Sequence, residues 1–379
     1  MKIVMVGPFA PPGEKPGGGV EAVADVMVRE LPRLGVDLTY IAAAADLDAE
    51  QMIGPAKIIH LKRVARPGFL TYWNLDAVRV ARLIDKLKPD LVHWQGNCGF
   101  NQYANEPGVV TIHGIPSGDQ AVKAADAWHW RVTATARIKL IDAVEKRART
   151  KIGRAIVIND YVIEALPDVA NLDPVQIPNP IDERMLSLPA QTAREPATIL
   201  MSAAINFNKQ QLLAIQMIAA MAAKRKDAKL LLAGPVHEPD YDVLCRAFVA
   251  QHGLGDRVEF LGHLDRPGLI AAYDRASLVL LCSLRENAPM VVAEGNARGA
   301  PALGPADFGL KYMIKNGVNG AFLPPAAAGV EAAANAALAA LECPWDRAAI
   351  SAQARADYAP SQIGARTVAH YAHLAGRAA

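Results

Sequence analysis

The sequence contains little cysteine and almost no excess of charge of either sign. Its four cysteines are Cys98, Cys245, Cys282 and Cys343. They include no C-x-x-C pair, so neither a zinc site nor a disulfide scaffold is indicated, and reducing cytosol is the simplest location. Lysine and arginine exceed aspartate and glutamate by only two. This balance argues against a nucleic-acid partner, because such proteins usually carry a strong basic field.

Long hydrophobic runs are missing as well. The sequence has no run of about 18 apolar residues, the length that a membrane-spanning helix needs, and its amino terminus enters a predicted strand without a signal-peptide pattern. We therefore expect any membrane contact to be peripheral. What the chain does have is 379 residues, of which 52% are hydrophobic. That is enough for two domains with cores of ordinary size.

Short apolar runs alternate with segments of helical periodicity along the whole chain. In the first half, strands are predicted at 3–6, 36–42, 91–94, 109–112 and 155–158, with helices at 21–34 and about 121–150. In the second half, strands are predicted at 198–203, 229–234, 258–261 and 278–283, with helices at 210–224, 241–252, 268–275 and 326–340. This alternation implies parallel βαβ units, and hence two doubly wound α/β domains. A proline-containing stretch from Pro178 to Pro196 places the boundary near residue 185.

The segment from Ser283 to Gly299 carries two carboxylates, Glu286 and Glu294, across an apparent strand-to-helix turn. An apolar strand comes before Glu286, and from Pro289 onward the helical spacing places Glu294 in the second turn of a helix. Such a turn can hold an anion on its backbone amides and a polyol on its acids. The alternative is one acid at a helix N-terminus and one on a solvated face.

A glycine-rich loop joins the first predicted strand to its helix. Gly17, Gly18 and Gly19 let the backbone approach a ligand and leave helix amides free for a phosphate. A dinucleotide-binding turn is disfavoured, because its G-x-G-x-x-G follows the strand directly, whereas these glycines begin ten residues beyond Gly7. A flexible surface loop remains the alternative.

Two polar residues follow predicted strands. His113 ends the strand Val110-Thr-Ile, and Lys209 follows the first strand of the second half. The histidine is either a site residue or a satisfied polar group at a strand end. The lysine is either a phosphate ligand or a solvated residue at a helix start.

Together these segments resemble the E-x7-E motif, the Gly-Gly loop and the T-x-H-G segment of retaining glycosyltransferases with the GT-B architecture, in particular glycosyltransferase family 4. The resemblance implies an α/β GT-B fold with two Rossmann-like doubly wound domains facing a central cleft. Residues 1–185 would form the acceptor-side domain and residues 186–359 the nucleotide-sugar donor domain. The last helix, at about 360–379, would pack back on the first domain.

The resemblance also implies roles by position. His113 would lie next to the reacting sugar, Glu286 would contact that sugar, and Glu294 would hold the ribose hydroxyls of the nucleotide. Gly18, Gly19 and Lys209 would contact the donor diphosphate. The donor-loop backbone would be that of Asn287, Ala288, Pro289 and Met290.

One position departs from the family pattern. Ala204 stands where the family has an arginine that binds the diphosphate with Lys209. Loss of that arginine weakens diphosphate binding unless Arg285, Arg298 or Lys311 compensates. The substitution also leaves open an impaired enzyme or an unusual donor.

The implied reaction transfers a sugar from a UDP or GDP sugar to an acceptor hydroxyl with retention of configuration. It would serve bacterial polysaccharide, glycolipid or natural-product glycosylation, and would need no cofactor or metal beyond the nucleotide-sugar co-substrate. In the family, the departing phosphate is thought to accept the acceptor's proton. The alternatives are a GT-B nucleotide-sugar epimerase and a non-catalytic sugar-nucleotide binding protein.

The segment from Lys123 to Arg154 is rich in basic residues and contains two tryptophans. One interpretation is a helix that rests on anionic lipid, which would put this cytoplasmic protein at the inner face of the membrane. The other is an ordinary helix with its bases in water, packed by the apolar stripe Trp128, Val132, Ala136, Leu140 and Val144.

Overall fold

The computed structural model describes residues 1–64, 75–96, 98–115, 128–186 and 194–377. The chain divides into two compact units. The first unit comprises Met1–Asp182 together with Tyr358–Ala379, and the second unit comprises Glu183–Asp357. The sequence-based boundaries were residues 185 and 360.

The first unit contains an eight-stranded sheet in the order β3-β4-β2-β1-β5-β6-β7-β8. Its strands are β1 (Lys2–Gly7), β2 (Asp37–Ala45), β3 (Ala49–Ile53), β4 (Ala56–Lys62), β5 (Leu91–Gln95), β6 (Gly108–Ile112), β7 (Ala155–Val157) and β8 (Val175–Gln176). Its helices are α1 (Gly19–Arg33), α2 (Leu75–Leu87), α3 (Trp128–Ile152), α4 (Tyr161–Ala165) and α12 (Pro360–Arg377). Neighbouring strands run parallel, except that β3 is antiparallel to β4.

Sequence patterning predicted the centre of this sheet and missed its edges. The central strands β1, β5 and β6 are buried almost throughout, and most of their positions form the short apolar runs that mark parallel strands, although β5 also buries His93 and Gln95. The edge strand β3 instead alternates half-buried with exposed positions. Its sequence Ala-Glu-Gln-Met-Ile is therefore too polar to form such a run, and the β3–β4 hairpin was not predicted.

The second unit contains a six-stranded parallel sheet in the order β11-β10-β9-β12-β13-β14. Its strands are β9 (Thr198–Ser202), β10 (Lys229–Ala233), β11 (Val258–Gly262), β12 (Leu278–Leu280), β13 (Ala302–Pro305) and β14 (Gly320–Leu323). Its helices are α5 (Gln211–Met221), α6 (Pro239–Gln251), α7 (Arg266–Arg275), α8 (Met290–Ala297), α9 (Leu310–Met313), α10 (Gly329–Glu342) and α11 (Arg347–Tyr358). Ile199, Ile215 and Leu230 are fully buried in its core.

Helix α3 covers most of the basic segment, while residues 123–127 lie outside the described residues. Two of its bases bind groups of the first unit. Arg149 pairs with Asp168 at 3.0 Å, and Lys151 Nζ donates to the carbonyls of Asn101, Gln102 and Ala104. In the expected apolar stripe Val144 is buried, but Leu140 is 42% exposed. Within the described ranges, no helix is both long and apolar enough to cross a membrane.

Close packing of α8 on β12 makes Gly295 a test of this arrangement. A Cβ at this position would lie 2.5 Å from Val279 Cγ2, and Val279 is fully buried. We expect Gly295→Ala to lower the free energy of unfolding, measured by urea titration, by about 1–3 kcal/mol through overpacking. Gly376→Ala is the control, because a Cβ there meets open space, and its stability should be unchanged or slightly raised. Equal effects of the two substitutions would contradict the packing argument.

Candidate active site

Strands β9 and β12 are neighbours in the second sheet, with Leu200 opposite Val279. The segments that leave their carboxyl ends therefore run side by side, and Leu284 N–H donates to the Asn208 carbonyl at 2.8 Å. Lys209 Nζ pairs with Glu286 Oε1 across these two segments. The two side chains are only 26% and 12% exposed, respectively, so solvent screens this ion pair less than a surface pair.

Local turns hold both partners in place. Lys209 ends a 3-10 turn whose cap, Asn206, accepts a hydrogen bond from the Lys209 N–H at 3.1 Å. Gln210 then takes a left-handed conformation with φ 57° and starts α5. On the other side, the Glu286 carbonyl accepts from Gly309 N–H at 3.0 Å. The Gly309 N–H is therefore already bonded within the second unit.

Glu294 lies in the second turn of α8, as predicted, and its carboxylate has two partners from α7. Tyr273 OH donates to Oε2 at 2.8 Å, and Arg266 Nη1 lies 3.3 Å from Oε1. Tyr273 is fully buried, and burial, followed by the charge of Glu294, raises the pKa of its hydroxyl well above the usual value. The phenol therefore stays protonated and donates.

Sequence reasoning missed both partners of Glu294. Tyr273 belongs to a predicted helix but gave no polar signal of its own. A signal for Arg266 did exist, in the sequence Asp265-Arg-Pro that begins three residues after the end of β11. Asp265 caps α7 by accepting from Gly268 N–H at 2.9 Å, which makes Arg266 its first residue. A cation at the carboxyl edge of a parallel sheet lies where ligands of such sheets bind.

The donor-loop residues lie between Glu286 and the start of α8. Pro289 is the N-cap of α8, one position earlier than the predicted first-turn role, and Met290 is the first helical residue. Pro289 is buried, while Asn287, Ala288 and Met290 are half-buried. No group of three or more histidine, cysteine, aspartate or glutamate side chains suited to a metal ion occurs among the described residues.

Ala204 follows β9, and its carbonyl accepts from Gln211 Nε2 at 2.9 Å. Of the cations considered as substitutes for the missing arginine, Arg298 is excluded. Its guanidinium is 1% exposed and binds Asp274 through two hydrogen bonds of 2.8 and 2.6 Å. Arg285 lies over the Phe308 ring at 5.3 Å and Lys311 over the Tyr312 ring at 5.1 Å.

In the first unit, the glycine loop leads directly into α1. Gly17 N–H donates to Glu21 Oε2 at 2.6 Å, and Gly18 is the N-cap of α1 with extended backbone at φ −156°. A Cβ at Gly18 or Gly19 would meet open space. The described structure therefore contains no steric reason for glycine at these two positions.

His113 follows β6 and is buried, with 8% exposure. Its Nε2 donates to the side-chain oxygen of Gln95, which sequence analysis did not identify. Burial lowers the pKa of His113 to about 4, although a hydrogen bond with Asn179 acts in the opposite direction. The imidazole is therefore neutral at pH 7.

Gln95 continues into a buried polar network. Its Nε2 lies 3.2 Å from His93 Nε2, which also lies 2.6 Å from Thr111 Oγ1. His93 Nδ1 bonds Tyr371 OH of α12, 278 positions away. Burial, followed by repulsion from His113 and His370, lowers the pKa of His93 to about 3. Every side chain in this network is thus neutral near pH 7.

Two family models match the chain. "Glycosyltransferase Family 4" matches residues 17–184, and "Glycosyl transferases group 1" matches residues 188–357. The chain belongs to the group 1, family 4 glycosyltransferases. It is accordingly a sugar-transferring enzyme with the GT-B fold that the sequence predicted.

Individual relatives are distant. A D-inositol 3-phosphate glycosyltransferase of Mycobacterium sp. (strain KMS) is 24% identical over 354 residues, which covers 84% of this chain and 77% of the relative. The sucrose-phosphate synthase of Thermosynechococcus elongatus has a TM-score of 0.76 at 20% identity, with 98% of each chain covered. Anabaena HepE, solved in complex with UDP-glucose, has a TM-score of 0.71 at 17% identity, covering 98% of this chain and 100% of that one.

The buried pair of Arg298 and Asp274 yields a stability test in this glycosyltransferase. Arg298→Met would leave Asp274 buried without its counter-ion, so the free energy of unfolding of the second unit should fall by about 3–5 kcal/mol. Arg225→Met is the matched control, because Arg225 pairs with Asp227 at 2.8 Å with the partners 32% and 54% exposed. We expect the control to change stability by less than about 1 kcal/mol in urea titration. A similar loss in both variants would contradict a structural role for Arg298.

Proposed function

We propose that this glycosyltransferase moves a hexose from a UDP sugar to an acceptor hydroxyl with retention of anomeric configuration. The observation that carries the proposal is the arrangement of two carboxylates at the carboxyl edge of the second sheet, each with its own cation. Glu286 pairs with Lys209 and Glu294 pairs with Arg266. Bacterial polysaccharide, glycolipid or natural-product synthesis remains the expected context.

Glu294 is the proposed ribose ligand. A carboxylate can accept from two vicinal hydroxyls at once, provided that its orientation is fixed. Tyr273 and Arg266 supply that orientation, because each binds a different oxygen of Glu294. The UDP-glucose complex of the structurally similar Anabaena protein supports a UDP sugar as donor.

The donor diphosphate is proposed to replace Glu286 as the partner of Lys209. In the structure described here Lys209 is bound to Glu286, so a phosphate oxygen must compete with the carboxylate for the ammonium group. Once Lys209 turns to phosphate, Glu286 is free to accept from hydroxyls of the donor sugar. Binding of the complete donor therefore satisfies both partners, whereas a nucleotide without a sugar leaves Glu286 uncompensated.

Chemistry then depends on stabilising the leaving group. The bond between the anomeric carbon and the diphosphate oxygen breaks, and a bond from that carbon to the acceptor oxygen forms on the same face. The acceptor's proton passes to the departing phosphate. Lys209 and the backbone amides leading into α8 oppose the negative charge that develops on the diphosphate. We propose that this charge compensation needs neither a metal nor a protein nucleophile.

The first unit is proposed to contribute His113 and the glycine loop. A neutral His113 can exchange hydrogen bonds with a sugar hydroxyl without adding charge. Nothing in the described fold would clash with a side chain at Gly18 or Gly19. Glycine at these positions therefore supports close approach of the diphosphate to their backbone. The acceptor is a hydroxyl compound, and inositol 3-phosphate is the first candidate because of the relatives' name.

Donor turnover tests the function. Purified protein is incubated with UDP, GDP and ADP sugars, with and without an acceptor panel that includes inositol 3-phosphate, and release of the nucleoside diphosphate is followed. We expect release that depends on acceptor, and an α-linked product from an α-linked donor by NMR. Inversion of configuration would overturn retention. Binding of a UDP sugar without turnover by any acceptor would overturn the proposed transferase reaction, and UDP release independent of acceptor would favour the epimerase.

If the diphosphate replaces Glu286 at Lys209, substituting the two acids should change the affinity for UDP in opposite directions. Glu286→Gln removes the competitor for Lys209, so affinity for UDP without a sugar should rise while transfer falls. Glu294→Gln should weaken UDP binding by about 10- to 100-fold, since a hydrogen bond to a charged group contributes about 1.5–3 kcal/mol. Isothermal titration with UDP measures both effects.

The control for these variants is Glu331→Gln, an exposed acid in the first turn of α10. It makes the same chemical change in the same unit and should bind UDP like the native protein. Weaker UDP binding by Glu286→Gln would contradict the proposed competition. Unchanged UDP binding by Glu294→Gln would contradict the assignment of Glu294 as the ribose ligand.

A further inference from the structure

The neutral network around His113 has an unusual composition for a buried histidine. The partner that accepts from Nε2 is the amide oxygen of Gln95 rather than a carboxylate. Gln95 is 2% exposed and His93, beside it, is 1% exposed. A carboxylate in this place would stabilise the protonated ring by its charge, which an amide lacks.

We propose that Gln95 is a positioning residue that holds His113 as the neutral Nε2–H tautomer, with its own orientation set through His93 by Tyr371 of α12. This inference rests on the proposed function, in which His113 serves the reacting sugar. In this tautomer Nδ1 carries the lone pair. His113 therefore accepts a hydrogen bond at Nδ1 and does not supply a proton to the reaction.

The geometry determines which way the Gln95 amide points. Its oxygen faces His113 Nε2 and its nitrogen faces His93 Nε2 at 3.2 Å. The Gln95 nitrogen also lies 3.5 Å from His93 Nδ1, so it faces the ring, and Thr111 Oγ1 is the nearer partner of His93 Nε2 at 2.6 Å. Because an amide nitrogen only donates and a hydroxyl can donate, we assign Nε2 as the acceptor of both groups and the ring proton of His93 to Nδ1. That proton is donated to Tyr371 OH, and the two rings meet edge to face with centroids 5.5 Å apart. In this assignment, hydrogen bonds connect Tyr371 of α12 through His93 and Gln95 to the histidine that follows β6.

Among the described residues, His93 of β5 interacts electrostatically with His113. His93 in turn interacts with His370 and bonds Tyr371, both of α12. Burial raises the pKa of Tyr371 far above its usual value, so its hydroxyl stays neutral. Asn179, after β8, adds a polar contact and no charge. Replacing the Gln95 amide with a carboxylate would therefore introduce a negative charge next to His113.

Gln95→Glu tests the proposal. An adjacent carboxylate favours the protonated ring, so the pKa of His113 should rise from about 4 by about 1–3 units. The ring nitrogen signals of His113, followed by NMR against pH, measure this shift. The acid limb of kcat/KM should move to higher pH by a similar amount, whereas a merely structural role would lower activity equally at every pH. An unchanged His113 titration would overturn the proposal.

The chain offers a matched control. Gln51 Nε2 lies 3.0 Å from His60 Nε2 in the same sheet, and burial lowers the pKa of His60. Gln51→Glu places the same new charge beside a different histidine. It should raise the pKa of His60 and leave both the His113 titration and the pH profile of transfer as in the native protein. A shifted pH profile in this control would contradict a specific effect at Gln95.

If Gln95→Glu does not fold, a second variant, Tyr371→Phe, still tests the proposal. Tyr371→Phe keeps the buried ring and removes only the hydroxyl that fixes His93. We expect the fraction of the Nε2–H tautomer of His113, read from its nitrogen shifts, to fall, and kcat to fall more than KM changes. An unchanged tautomer would overturn the relay. These NMR measurements need no transferase activity, so a native protein that fails to transfer sugar would refute the proposed function while the network is still tested.

Discussion

Side-by-side pairing of β9 and β12 is the constraint on which the candidate site depends. In a parallel sheet the carboxyl ends of neighbouring strands meet at one edge, so residues far apart in sequence come into contact there. Lys209 and Glu286, 77 positions apart, form an ion pair for this reason. The next connection, from β12 through α8, then places Glu294 against α7. Both acids thus receive a partner from the way the sheet is wound.

This origin explains which parts could be predicted from the sequence. Central strands such as β1 and β6 are buried on both faces and have apolar runs, so periodicity alone identified them. The turn around Glu286 and Glu294 was predictable because its signals are local. Tyr273 and Gln95 could not be predicted, because their partners Glu294 and His113 are distant in sequence. Arg266 had a local signal in its helix cap, but its partner Glu294 was also distant in sequence. Sequence patterning predicts elements, whereas partners across a sheet edge follow from the register of strands.

Arg298 shows the opposite error. A basic residue close to the acid pair in sequence was a reasonable substitute for the arginine missing at Ala204. In the structure it is the C-cap of α8, and its side chain is buried against Asp274. Desolvating a guanidinium is costly unless a carboxylate compensates it, so a buried arginine with such a partner is fixed in place. The short distance in sequence between Arg298 and Glu294 therefore did not indicate whether Arg298 could bind a ligand.

The acid pair of the second unit and the His113 network of the first unit have different kinds of polar partners. Around Glu286 and Glu294 each charge is matched by a cation, so these groups can exchange partners when a charged ligand arrives. Around His113 the partners are amides, hydroxyls and imidazoles, and no charge needs compensation. A neutral network binds its members through oriented hydrogen bonds, whose loss leaves an unsatisfied buried group. Exchange is therefore favoured at Lys209 and Glu286, where the diphosphate is proposed to bind, and fixed orientation is favoured at His113. Both properties follow from the choice of partner and not from the histidine or the acids themselves.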